Sequence, residues 1–180
     1  WGGATRLPRT IGMRRALPSI DGRPARKSMA DVEAMFVEAA SGKGWLALEG
    51  INQIWRLDAD LSKIESRRKL PQPRWPKNSG PEAMARLADG RTVIFSENAD
   101  DDPRGREALI YTGDPAAPGP APIRFFYDSA GRGRISDAAA LPDGRILLVH
   151  RRLAFEPVFT TVIAIVDPAD IEKDAVVRSR

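Results

Sequence analysis

The 180-residue chain contains no cysteine. That excludes disulfides, thiolate metal sites and cysteine nucleophiles, and leaves the compartment open, since a cysteine-free protein suits oxidising and reducing surroundings alike. Histidine is nearly as scarce: His150 stands alone, so imidazole chemistry must use it or come from another chain. No run reaches the 18 apolar residues of a helical membrane span. Nothing near Trp1 reads as a signal peptide, and an opening on Trp rather than Met leads us to expect sequence upstream. There is no Gly-x-Ser-x-Gly elbow, so a serine hydrolase of the α/β type has no support. Aromatic residues are sparse, and Trp1, Trp45, Trp55 and Trp75 read as packing residues rather than a base-stacking platform.

Charge is abundant but dispersed. The 28 basic residues, 22 of them Arg, face 24 acidic ones for a formal net charge of +4. Pairs such as Arg14-Arg15, Arg67-Arg68 and Arg151-Arg152 stand apart from one another. A nucleic-acid binder concentrates basic charge on one face, so no nucleic-acid partner is expected; the scattered charge reads as a solvated surface, with a basic patch facing an anionic small molecule as the alternative.

What the chain does have is a repeat. Glu33-Ala34-Met35 returns as Glu82-Ala83-Met84, an offset of 82 − 33 = 49, and a looser copy begins at Asp137-Ala138-Ala139. Leu87-Ala88-Asp89-Gly90-Arg91 returns as Leu141-Pro142-Asp143-Gly144-Arg145, an offset of 143 − 89 = 54. Between these words lie short apolar runs with turn signals: 45–48, 54–57 and 64–70, then 92–95, 108–111 and 123–127, then 146–149, 160–166 and 176–177. Local propensity over 31–40 favours a helix, but the recurrence of the words favours strands. A β-sandwich would not need the same words in register. A period near 50 with about four short strands per unit predicts an all-β fold of β-propeller blades, each of four antiparallel strands.

The expected blades span about 31–70, 80–127 and 136–178 of one domain over 1–180, with 1–30 irregular and carrying a strand of a preceding blade. Three blades do not close a ring. Further blades or another copy of the chain are expected to cover the open edges.

At these words the chain resembles the phytase-like family, described by an esterase-like activity of phytase. The matching runs are Asn78-Ser79-Gly80-Pro81-Glu82-Ala83-Met84 with 87–91, Ile135-Ser136-Asp137 continuing to Arg145, and His150-Arg151-Arg152 followed by Phe159-Thr160-Thr161. The resemblance covers roughly 28–178. It implies a propeller of about six blades and export to the periplasm or outside the cell.

The candidate site follows from blade geometry. The first strand of a blade lines the central channel, so Glu33, Glu82 and Asp137 are expected to converge on one axis. Crowded carboxylates call for a cation, and hard oxygen donors favour Ca²⁺ or Mg²⁺, with Ca²⁺ preferred here. The ordinary alternative is that each acid accepts hydrogen bonds from nearby backbone N–H groups. Register sets a condition: Glu82 lies seven residues before Asp89 and Asp137 six before Asp143, and a slip of one turns a side chain to the other face.

Arg151 and Arg152 end an apolar strand. By alternation one of them points inward, which makes the pair the expected anchor for an anionic substrate. Arg91 and Arg145 read as hairpin residues paired with a nearby acid, 97–102 as a solvated acidic loop, Gly131-Arg132-Gly133 as a turn, and His150 as structural. The expected activity is divalent-cation-assisted hydrolysis of a phosphate or carboxylic ester; the competing expectation is a non-catalytic exported propeller that binds a ligand or protein.

Overall fold

The computed structural model describes residues 31–71, 75, 79–97, 102–155 and 158–180. The irregular segment expected over 1–30 and the middle of the acidic loop lie outside them. Three sheets account for the fold, each beginning with a Glu-Ala-Met strand or its counterpart.

The first blade is β1 (Val32–Val37), β2 (Gly44–Leu48), β3 (Gln53–Leu57) and β4 (Ile64–Lys69), in that order and antiparallel. The second is β5 (Pro81–Arg86), β6 (Thr92–Ser96), β7 (Arg106–Tyr111) and β8 (Ile123–Asp128). The third is β9 (Arg134–Ala140), β10 (Ile146–Leu153) and β11 (Phe159–Val166). The innermost strands β1, β5 and β9 lie side by side, as successive blades of a propeller do.

The repeated turn words build the same turn twice. The Leu87 N–H donates to the Arg91 carbonyl at 2.8 Å and the Gly90 N–H to Leu87 at 3.0 Å; Leu141, Arg145 and Gly144 repeat this at 2.8 and 2.9 Å. Gly90 and Gly144 both sit at φ +87°, which L side chains rarely adopt. Arg91 pairs with Asp89 and Arg145 with Asp143, as expected of hairpin residues.

Strand alternation sends every second side chain into the seam between blades. Between the first two blades Trp45, Ile54, Met84, Ile94 and Leu109 pack together. Between the second and third, Phe95, Phe125, Tyr127, Ile146 and Leu148 do so. Phe95 meets both Phe125 and Tyr127 edge-on at 5.8 Å. A fully buried ring of this kind stabilises by about 1.5–3 kcal/mol, and truncating it to alanine costs about 3–5 kcal/mol.

One element departs from expectation. The strand at 176–177 belongs not to the third blade but to the outer edge of the second, as β12 (Val176–Arg178), parallel to β8. Among the described residues the third blade therefore has three strands. The displaced strand buries Val177 in the seam of the second and third blades and pairs Arg178 with Asp128 at 3.0 Å.

Candidate functional site

All three inner strands carry a bulge at the same height. In β1 the register shifts between Val32 and Ala34, leaving Glu33 as the extra residue; in β5 it shifts between Pro81 and Ala83, leaving Glu82. In β9, Asp137 pairs with Val149 and Ile135 with His150, so the extra residue is Ser136. A bulge re-aims its side chain, and here it turns both glutamates toward the same end of the inner strands.

Asp137 is thus corrected as a member of the ring. Its register mate in the second blade is Ala83, since 137 − 54 = 83. It lies exposed, its Oδ1 accepts from the Ala138 N–H at 2.8 Å, and it lines a separate groove with Met35, Met84 and Arg86. Ser136, at the bulge, donates to the Val149 carbonyl at 3.2 Å.

The cluster takes two other acids in its place. Glu49 follows β2 and Glu97 follows β6, each anchored by its own N–H to the residue just before the neighbouring inner strand: Glu49 to Asp31 and Glu97 to Gly80, both at 3.0 Å. Potential ligand oxygens of Glu49, Glu82 and Glu97 lie within 4.8 Å of one another, and so do those of Asp31, Glu33 and Glu49. Glu49 belongs to both trios and ties the blades together, its Oε1 accepting from the Gly80 N–H at 3.1 Å. A Cβ on residue 80 would stand 2.9 Å from the Glu49 Cγ, so only glycine lets that side chain cross.

The third blade reverses the charge. By register, Arg151 stands where the second blade has Glu97, because 97 + 54 = 151, and Arg134 pairs across from it. Arg134 binds Glu97 at 3.1 Å. Arg151 lies 3.7 Å from both Glu82 and Glu97. Arg152, its neighbour on the strand, makes no contact with the acids and faces an adjoining cavity.

The electrostatics follow from crowding. Glu82 is only 6% exposed. Burial, then the charges of Glu97 and Glu33, push its carboxyl up to about 7; Arg151 opposes this, and Glu49 adds to it. Glu33 and Glu49 are raised as well, each first by burial and then, among other causes, by neighbouring acids. Four glutamates and an aspartate offering only oxygen fit a hard divalent cation, whose charge would relieve this repulsion.

His150 takes no part in the cluster. It is fully buried, and its Nδ1 donates to the Gly133 carbonyl at 3.3 Å, which leaves Nε2 to accept from the Tyr127 hydroxyl at 3.0 Å. Burial holds its pKa below the ordinary value.

The family model described as "Phytase-like: Esterase-like activity of phytase" matches residues 4–180. No curated protein matches the chain. Among solved structures, Kuenenia stuttgartiensis hydrazine synthase is similar at a TM-score of 0.52 and 13% identity, over 90% of this chain and 38% of that one. An exo-β-1,3-galactanase from Phanerochaete chrysosporium is similar at 0.51 and 13%, over 75% of this chain and 33% of that one. At such identity these likenesses speak to fold alone, and the chain spans well under half the length of either structure.

Proposed function

This chain belongs to the phytase-like family, and on that premise we propose that it serves divalent-cation-assisted hydrolysis of a phosphate or carboxylic ester. The observation that carries the reading is the meeting of Glu49, Glu82 and Glu97 within 4.8 Å beside Arg151, which lies 3.7 Å from two of them and whose guanidinium makes no hydrogen bond among the described residues. Glu49, Glu82 and Glu97 would hold the cation, with Glu33 in the adjoining trio that shares Glu49, and Ca²⁺ is the preferred ion for an all-carboxylate set. When bound, such an ion polarises an ester oxygen and offsets developing negative charge.

The chain's own residues supply the rest. Arg151 sits between the acids and solvent, where its planar fork can orient an anionic ester group. Glu82, its carboxyl raised to about 7 by burial and by neighbouring acids, is part protonated near neutral pH, and a bound cation would displace that proton.

The test is hydrolysis of a panel of phosphate and acyl esters with and without Ca²⁺. Turnover should require the ion and fall at least about 100-fold in Glu82→Gln with the circular dichroism spectrum unchanged. A folded chain that cleaves nothing with any divalent cation would remove the enzyme reading in favour of a binding propeller.

A further inference from the structure

Next to the acids, on the third blade, lies a cavity of about 580 Å³ lined by Gly133, Arg134, Arg151, Arg152, Leu153 and Phe159. Among the described residues no acidic side chain lines it. Its three guanidiniums are committed to different degrees. Arg134 donates to Glu97 at 3.1 Å. Arg151, at 3.7 Å from Glu82 and Glu97, is in ion-pair range but too far for a hydrogen bond. Arg152 has no carboxylate partner among the described residues. Both arginines therefore keep donors available at the wall of this cavity, and a guanidinium fork suits the oxygens of an oxyanion.

The rest of the wall is apolar. Leu153 and Phe159 are register partners across β10 and β11, and both are largely exposed, at 74% and 59%. A purely polar ligand would leave these two side chains in water.

The geometry points to this cavity as a subsite for an oxyanion that carries an aryl or alkyl group. The arginines take the oxyanion, and Leu153 and Phe159 cover the apolar part. Combined with the ester-hydrolase reading, on which its bearing on catalysis rests, it makes the substrate an amphiphilic ester rather than a wholly polar one. The binding itself needs no cation.

Calorimetry on the full chain in EDTA tests this with phenylphosphonate, inorganic phosphate and benzoate. Phenylphosphonate should bind about tenfold tighter than phosphate, the return expected from partly covering one ring. Phe159→Ala should bring that preference below about threefold and leave phosphate affinity unchanged, and Arg152→Ala should weaken both ligands about tenfold. Both side chains are exposed, so neither variant threatens the fold. Benzoate binding with the same dependence on Phe159 supports a carboxylate ligand, and its failure beside phenylphosphonate binding supports a phosphorus oxyanion. Equal affinity for phosphate and phenylphosphonate overturns the subsite, as does an Arg152→Ala chain that binds both unchanged. Self-association that hides Phe159 would show as absent phenylphosphonate binding and overturns it too. None of these results touches cation-dependent hydrolysis, whereas loss of hydrolysis with the binding pattern intact removes the enzyme reading and leaves the subsite standing.

Discussion

Replacing Glu82 by glutamine removes one oxygen's charge from a crowded, buried cluster and should stabilise the metal-free protein above neutral pH. In the folded chain the Glu82 carboxyl is raised from 4.5 to about 7, first by burial and then by Glu97 and Glu33. The folded state therefore binds this proton more tightly than the unfolded state does. Its contribution to stability is fully present below pH 4.5 and is lost as pH rises through about 7. The difference, 7 − 4.5 = 2.5, corresponds to about 3 kcal/mol at about 1.4 kcal/mol per pH unit. Glutamine does not titrate, so the variant avoids that loss but gives up the attraction to Arg151. Urea unfolding in EDTA at several pH values from about 4.5 to about 8 measures the effect. Glu82→Gln should gain on the parent progressively across this range, by up to about 3 kcal/mol. His150 titrates with the opposite sign, since burial lowers its pKa and its contribution is lost as pH falls, but it is common to both chains and cancels in the difference. A difference that stays flat with pH would refute the account of a strained carboxylate cluster.

Arg151→Gln removes the cation that opposes the rise at Glu82, so the midpoint of the parent's pH-dependent stability loss should move to higher pH. His150→Leu takes a hydrogen-bond partner from the buried Tyr127 hydroxyl, while the Gly133 carbonyl keeps its bond from Arg106 at 2.7 Å, and should cost about 1–3 kcal/mol in urea unfolding, without changing Ca²⁺ affinity. Gly133→Ala forces a side chain into φ +101° and against the Arg151 carbonyl; it should destabilise the chain by more than about 1 kcal/mol and weaken phosphate binding through Arg151.

The blades were legible because the sequence repeats whole words, and Asp89-Gly90 and Asp143-Gly144 do form the same turn. Glu33 and Glu82 were legible for the same reason: both are the extra residue of an inner-strand bulge. Asp137 misled because it is the acid nearest the start of its blade, while the offset of 54 that aligns the turns assigns Ser136 to the bulge. Glu49 and Glu97 escaped notice because they stand just past strand ends, in words that do not recur: Glu49-Gly50 and Glu97-Asn98. Their nearly equal distances from the preceding bulge residue, 49 − 33 = 16 and 97 − 82 = 15, were the available signal. Glu97 in particular reads as part of a solvated acidic run, yet it is 7% exposed. The parallel pairing of β12 with β8 had no local signature, since a three-residue strand takes its partner from tertiary packing rather than from its own pattern.

The most direct test of the central claim is calorimetric titration of Ca²⁺ into the metal-free full chain near neutral pH, repeated in buffers of different ionisation enthalpy. The account predicts binding accompanied by proton release, because the ion displaces the proton held at Glu82, with both lost in Glu82→Gln and both retained in Asp137→Asn. Absence of binding, or an equal loss in Asp137→Asn, would contradict it.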